Sequence, residues 1–214
     1  MPRRTHLEYD VKIGDRRIKI LGIHHGSTMD NWPLSKRTRQ IITKRAAAQA
    51  ESKVYSEACN EAFLPQHLIQ NAVPLESKED RRLARWINKG LWWKMEQIAP
   101  GAKMSKKTSP IDEKNWRRIL EDAKILDEDG QTAVKYLVIA RSAAMATTLR
   151  NSPHSNIIAV MGSGHAHLVK KFLENEKLAQ RYARLWQKMD IHPVIDENKG
   201  VLLAFLRRKP KAEK

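Results

Sequence analysis

Two short apolar runs in this chain each end in a glycine-rich turn that carries histidine. The first leads into Gly22-Ile23-His24-His25 and the second, residues 156–161, into Gly162-Ser163-Gly164-His165. A continuous apolar run is typical of a parallel strand that is buried on both faces of a sheet. The glycines would let the backbone turn sharply and approach a ligand or cofactor closely. Both turns are therefore expected at the carboxyl edge of one sheet, where open α/β proteins bind ligands.

The pattern before and after the first turn predicts a hairpin and a helix. Residues 6–22 alternate apolar and polar positions on either side of a Gly-Asp turn signal, which is typical of a β-hairpin. A helix is expected next, running to about residue 52, with Asn31 or Ser35 as its N-terminal cap.

The next strand candidate is short. Residues 53–57 contain Val and Tyr, which favour a strand, and with the preceding helix they complete a strand–helix–strand unit. Glu57 would then end that strand beside the first histidine turn. The alternative is a single helix across residues 51–63.

The rest of the chain is predicted to be largely helical. Residues 60–130 are interpreted as a helical insertion or cap, and residues 131–150 as the clearest helix. After the second apolar run we expect a helix that His165 begins, and then a helix at 179–189, a hairpin of 191–195 with 201–205, and a basic tail at 207–214. The predicted fold is a single α/β domain over residues 1–214, with a mixed, mainly parallel central sheet flanked by helices.

Composition narrows the class of protein. Hydrophobic residues make up 41% of the 214 residues, and the chain has six tryptophans, which indicates a folded protein. No apolar run approaches 18 residues, so no membrane-spanning segment is expected. The N-terminus lacks the apolar core of a signal peptide, and the single cysteine, Cys59, fits a reducing compartment, so we expect a cytoplasmic protein. The net charge of +16 allows nucleic acid or an anionic surface as a partner, but its even spread is also typical of solvated helix faces.

An arginine interrupts the apolar face of the helix at 131–150. Arg141 lies seven residues after Val134 and four before Met145, and residues at these spacings share a helix face. An arginine on such a face is seldom buried without a partner. Either its head group reaches water at the edge of the face, or it is a fixed cation directed at an anionic ligand or at Glu57.

Four side chains are therefore expected to meet at one sheet edge: His25, Glu57, Arg141 and His165. Two imidazoles and a carboxylate suit a divalent metal ion such as zinc, manganese or cobalt, with His25, Glu57 and His165 as ligands. They suit a metal-free site equally well. There, one histidine would activate water, the other would steady an oxyanion, and Arg141 would hold negative charge on the substrate.

The order of these elements resembles the TraB/TIKI type of proteins, relatives of the erythromycin-esterase-like and ChaN-like folds. The resemblance rests on the Gly22-Ile23-His24-His25 turn, Glu57 at a strand end, the segment Arg141-Ser142-Ala143-Ala144-Met145-Ala146, and the Gly162-Ser163-Gly164-His165 turn. Members include a metal-dependent peptidase that acts on a secreted signalling protein and a factor that shuts down peptide pheromone activity.

The resemblance implies a hydrolase, with or without a divalent metal ion, whose site contains the same four side chains. Two departures stand out. Ser142 follows the arginine where the family usually has Asn or Asp, and the chain lacks the membrane segments that many members carry.

Three classes of function remain open. The first is a peptidase-like or esterase-like hydrolase acting on a small-molecule or peptide substrate. The second is a nucleic-acid-binding or anion-binding protein that uses the net charge and the region of Trp86, Trp92 and Trp93. The third is a nucleotide or phosphate binder at the second glycine turn, since helix amino ends attract phosphate. The dinucleotide fingerprint has a third glycine where this chain has His167, which places that class last.

Overall fold

The structure is a computed structural model that describes residues 6–23, 34–49, 51–78, 80–85, 87–88 and 135–187, with the backbone of 189–191, 194–196, 200–202 and 206–208. Several predicted features lie outside these residues. They are His25, the helix start at Asn31, most of the 60–130 insertion with its three tryptophans, and the end of the basic tail.

Strands and helices follow one another along the described chain. The strands are β1 His6–Ile13, β2 Arg16–Ile23, β3 Lys53–Ser56, β4 Val73–Pro74, β5 Asn156–Gly162, β6 Met189–Ile191, β7 Val194–Asp196, β8 Gly200–Leu202 and β9 Leu206–Arg208. The helices are α1 Lys36–Ala48, α2 Gln66–Ile69, α3 Arg141–Arg150, α4 Ser163–Glu174 and α5 Glu176–Gln187. A π-helical turn, Tyr136–Ala140, leads directly into α3.

A five-stranded sheet in the order β1-β2-β5-β3-β4 forms the centre of the molecule. Only β1 and β2 pair antiparallel, and the other neighbours are parallel. Along β5, Ile157, Ala159 and Met161 pack towards α3 and α4, whereas Ile158 and Val160 pack towards α1. Because both faces of β5 are covered, every position in its apolar run is buried. The predicted α/β fold is confirmed.

The first hairpin has the predicted extent. β1 and β2 pair continuously, from His6 opposite Ile23 to Ile13 opposite Arg16. Gly14 in the turn has a φ of +57°, in the left-handed region that glycine adopts without steric cost. The alternation of apolar positions therefore sets the strand register, and glycine makes the tight connection.

The helix after the hairpin begins with a serine cap and ends earlier than expected. The Ser35 hydroxyl accepts a hydrogen bond from the Thr38 N–H at 3.2 Å, which satisfies one of the free donors of the first turn. The helix ends at Ala48 rather than near residue 52. A turn follows, closed by a 2.7 Å hydrogen bond from the Ser52 N–H to the Gln49 carbonyl.

Residues 53–56 are a strand, so the alternative of one helix across residues 51–63 is wrong. Val54 and Tyr55 are buried on opposite faces of the sheet, and β3 pairs in parallel with β5. A helix here would leave the unpaired edge of β5 buried. The cost of unsatisfied backbone groups outweighs the weak local preference of four residues.

The sheet contains a strand that the sequence did not predict. β4 is only two residues long and pairs in parallel with β3 at the edge of the sheet, where a proline such as Pro74 is tolerated. The first part of the segment predicted as a helical insertion, residues 60–130, therefore contributes a strand to the central sheet. Near the C-terminus, β7 and β8 pair antiparallel in a shorter form of the predicted closing hairpin, and β6 pairs with β9.

Gly22 allows close packing of α4 on β2. A Cβ atom at this position would lie 2.7 Å from the Ala166 Cβ, and 3.2 Å from both the Leu7 Cβ and the Ser163 Cα. The glycine was predicted to let the backbone approach a ligand or cofactor closely, and in the structure the group that approaches it is α4.

The substitution Gly22→Ala should therefore destabilise the protein, by about 1–3 kcal/mol, because the new methyl group overpacks a rigid contact. Chemical denaturation of the two proteins would measure the loss. Combining Gly22→Ala with Ala166→Gly should cost less than the sum of the two single changes, since the shorter contact is relieved. Strict additivity would show that the contact with α4 is not the cause.

Candidate functional site

Three buried residues and Arg141, whose side chain is 11% exposed, converge at the carboxyl edge of β3, β4 and β5. Glu57 directly follows β3, Glu76 follows β4 by two residues, and His165 lies in the first turn of α4 after β5. Arg141 is the first residue of α3. The carboxylate side chains of Glu57 and Glu76 are 4% and 3% exposed, so their charges require partners inside the protein.

Glu57 occupies the amino end of α4. One of its carboxylate oxygens, Oε2, accepts a 2.8 Å hydrogen bond from the Gly162 N–H, and the Glu57 N–H donates to the Val160 carbonyl at 2.9 Å. A negative charge is stabilised at this end of a helix by the free N–H groups and the helix dipole. The position where a phosphate was considered thus holds a carboxylate of the chain itself.

Arg141 joins the two carboxylates. Its Nε and Nη2 donate to the two oxygens of Glu76 at 2.7 and 2.6 Å, a bidentate arrangement, and Nη2 also donates to Glu57 Oε1 at 3.1 Å. Nη1 lies 3.5 Å from the Leu137 carbonyl and 3.4 Å from His165 Nε2. All nitrogen atoms of the guanidinium are therefore directed at groups of the protein, and the predicted pairing with Glu57 is present.

Because one cation lies between two buried carboxylates, the pKa values of Glu76 and Arg141 both differ from their ordinary values. Burial raises the pKa of Glu76, and this effect outweighs the opposing influence of the Arg141 guanidinium. Burial alone would lower the pKa of Arg141, but its hydrogen bonds to Glu76 and the charges of both glutamates raise it. The two upward shifts have one physical reason. The guanidinium has two anionic partners, so its charged form is favoured, whereas the two carboxylates have one cation between them.

The π-helical turn places Arg141 and its neighbour on the site. The Arg141 N–H donates to the Tyr136 carbonyl, five residues back rather than four. This change of register comes where two side chains bond to backbone carbonyls: Arg141 Nη1 approaches that of Leu137, and the Ser142 hydroxyl donates to that of Val138 at 2.5 Å. Single π turns inside helices are common at functional sites.

Ser142 defines the tautomer of His165. The Ser142 hydroxyl is 2.8 Å from His165 Nδ1, and its proton is engaged with the Val138 carbonyl. The hydroxyl oxygen therefore accepts from Nδ1–H, which leaves Nε2 of the neutral ring as an acceptor. Nε2 faces Arg141 Nη1 at 3.4 Å and Glu57 Oε1 at 3.9 Å. The residue that departs from the expected family pattern is thus the one that orients the histidine.

The structure brings together three of the four predicted side chains, Glu57, Arg141 and His165, and His25 lies outside the described residues. Glu76 and Ser142 were not predicted. An acid two residues after the pair Val73-Pro74 was the available signal for Glu76, close to a strand end as Glu57 is. Because β4 has only two residues, that signal was too short to be recognised.

The described residues do not fit a metal ion as they stand. Arg141 contacts the Glu57 Oε1 and His165 Nε2 atoms that a metal would need, so the guanidinium holds the cation position between them. Within the described ranges, no group of three or more ligating side chains is placed to hold a metal ion. The predicted set of His25, Glu57 and His165 would require Arg141 to move.

No known family model, curated protein or solved structure matches the chain. The resemblance to TraB/TIKI-type proteins therefore stays a prediction. Among the residues that can be described, none of the helices combines the length and apolar character needed to cross a membrane.

Replacing Arg141 by methionine tests the charge arrangement. We expect Arg141→Met to lose about 3–5 kcal/mol of stability near neutral pH, since two buried carboxylates are left without their cation. The loss should shrink as the pH is lowered. Without the guanidinium the effect of burial on Glu76 is no longer opposed and its pKa rises further. A raised folded-state pKa gives stability that is present below the unfolded value of about 4.3 and lost as pH rises through the raised value.

Denaturation curves recorded between about pH 5 and about pH 8 would measure both effects. A matched control is Lys170→Met, which removes a cation from a surface pair with Glu174 that is 33% and 49% exposed. That pair should contribute less than about 1 kcal/mol, with little dependence on pH. Equal losses in the two variants would contradict the proposed role of burial.

Proposed function

We propose that this chain is a hydrolase of peptide or ester bonds, in which His165 accepts a proton from the attacking water. The observation that carries the proposal is the hydrogen bonding of the imidazole. Ser142 holds Nδ1–H, so Nε2 is the basic nitrogen and lies at the carboxyl edge of the sheet beside Glu57. Its long contact with Arg141 Nη1, 3.4 Å, has to give way when the attacking water binds. A histidine with one nitrogen fixed and the other directed into a ligand-binding edge has the arrangement of a general base.

The buried charges favour this role. When both carboxyl groups are ionised, Glu57, Glu76 and Arg141 together carry a net charge of −1, and a proton on Nε2 would bring the cluster to neutrality. That proton would lie near Glu57 Oε1, which is 3.9 Å from Nε2. The Glu57 carboxylate favours a proton at this position, and the Arg141 guanidinium, whose Nη1 lies 3.4 Å from Nε2, opposes it.

Arg141 has a positioning role in this proposal, and it is not the group that binds the oxyanion. Its guanidinium nitrogens are engaged with Glu76, Glu57, Leu137 and His165, so no N–H is left for a substrate. It keeps Glu57 beside the imidazole. The predicted partner for the oxyanion is His25, from the Gly22-Ile23-His24-His25 turn.

A divalent metal ion held by His25, Glu57 and His165 is an alternative form of the proposal only if Arg141 moves away from Glu57 and His165. Bound zinc, manganese or cobalt would supply a more acidic water molecule. Elemental analysis of the purified protein separates the two forms, because the metal-free form predicts hydrolysis without a stoichiometric metal.

The substitution His165→Ala should lower kcat by about 10²–10⁴-fold, the usual contribution of a general base. Wild-type and variant proteins would be compared on a panel of fluorogenic peptides and chromogenic esters. His67→Ala, at an exposed histidine in α2, serves as the control and should leave the rate unchanged. The proposal fails if wild-type protein hydrolyses no member of the panel, or if His165→Ala retains the full rate.

Ser142→Ala tests the positioning of the imidazole. Loss of the hydroxyl leaves Nδ1 without its acceptor, so both tautomers become accessible and the ring is no longer held. We expect a lower kcat with little change in KM, a shift in the pH profile of kcat, and partial rescue by Ser142→Thr, which keeps the hydroxyl. An unaltered pH profile, or no difference between the Ala and Thr variants, would assign Ser142 to packing alone.

A further inference from the structure

The exposed side of α1 has an unusual charge. Its thirteen residues include five lysines and arginines and no acidic residue. Lys36 and Arg37 lie in the first turn, where a positive charge is disfavoured by the helix dipole. These two cations therefore oppose the helix dipole, whereas Arg45 in the last turn complements it.

A cleft lies next to the C-terminal end of α1. It has a volume of about 620 Å³ and is bounded on one side by the β1–β2 hairpin and on the other by the segment that follows α1. The hairpin wall contributes Lys12, Arg17 and Lys19 together with Asp10, and the segment after α1 contributes Glu51. Asn156, the first residue of β5, closes its base, so the cleft is at the amino edge of the sheet. The carboxyl edge with His165 is at the other end of the strands.

Only some cations of α1 and the β1–β2 hairpin are paired with acidic residues in the described part of the chain. Glu8 pairs with Lys19 and Arg45, both at 3.0 Å, and Asp10 pairs with Lys19 at 2.7 Å. Burial opposes ionisation of Glu8, but its two cationic partners outweigh burial and lower its pKa.

Arg16 donates to the Arg150 carbonyl, and six further cations of α1 and the hairpin make no ion pair with any described residue. They are Lys12, Arg17, Lys36, Arg37, Arg39 and Lys44, and all six are exposed.

We propose that this surface, formed by α1 and the β1–β2 hairpin, binds the phosphate backbone of nucleic acid. A helix of thirteen residues is about 20 Å long, which matches about six successive phosphates of one strand of a duplex. Among its described residues, the cleft contains no aromatic side chain on which a base could stack. Of its apolar members, Val11 and Ile18 are buried, and Ala48 exposes only a methyl group. Binding is therefore to the backbone and independent of sequence.

A membrane surface is the less suitable partner. A helix that binds an interface inserts an apolar face into it, together with basic residues at its border. The apolar residues of α1, such as Ile42 and Ala46, pack against the sheet instead. The surface offers charge and concavity without an apolar anchor, which fits a polyanion.

The test compares two variants of equal net charge. The first carries Lys12→Gln, Arg17→Gln and Lys44→Gln on the proposed surface. The second carries Lys135→Gln, Lys177→Gln and Arg181→Gln, three exposed cations of the layer that covers the opposite face of the sheet. Fluorescence anisotropy with a labelled duplex DNA and a single-stranded RNA would give affinities over a range of salt concentrations. Vesicles of phosphatidylserine and phosphatidylcholine would be a separate arm.

Wild-type protein should bind the oligonucleotides at low salt with a steep salt dependence. The surface variant should lose about three from the slope of log K against log salt, since each phosphate contact contributes about one, while the matched variant keeps the wild-type slope. Equal loss in both variants would show attraction by net charge alone and overturn the proposal. So would absence of oligonucleotide binding, or binding to the vesicles only. These outcomes measure binding alone, so they do not depend on whether the His165 site hydrolyses a substrate.

Discussion

The guanidinium of Arg141, held between two buried carboxylates, is the interaction on which the site depends. Glu57 comes from the end of β3, Glu76 from the end of β4 and Arg141 from the start of α3, so one ion cluster connects three segments that are distant in sequence. A buried charge cluster of this kind contributes little net stability compared with apolar packing, but removing one member is costly. The cluster therefore specifies the arrangement of the edge more than it strengthens the fold.

The rest of the site follows from that cluster. Glu57 reaches the Gly162 N–H at the start of α4, which fixes the turn that carries His165. Ser142, adjacent to the arginine, then holds the other side of the imidazole. The π-helical turn before α3 is the backbone feature that allows two consecutive residues to serve these two purposes. Charge, turn and histidine thus form one connected network.

The two faces and the two edges of the sheet are used differently. The carboxyl edge holds a nearly buried set of charges that pair with one another, whereas α1 and the hairpin present several exposed cations that make no ion pair within the described part of the chain. The charged residues of the chain therefore lie in two different environments, one nearly buried and one exposed to solvent. In the described part of the chain, the proposed catalytic chemistry lies at one end of the strands and the cleft of the proposed polyanion surface at the other.

Residue patterns alone determined the strands β1, β2 and β5, the helices that follow them, and three members of the site. Periodicity reflects burial, and the carboxyl ends of parallel strands must share an edge, so the order of residues is enough to place Glu57 and His165 together. Tertiary structure alone decided the rest. Glu76 follows a two-residue strand that carries no periodic signal, and the tautomer of His165 depends on a hydroxyl 23 residues away in sequence. Contacts between distant segments leave no local pattern, because their geometry exists only once the chain has folded.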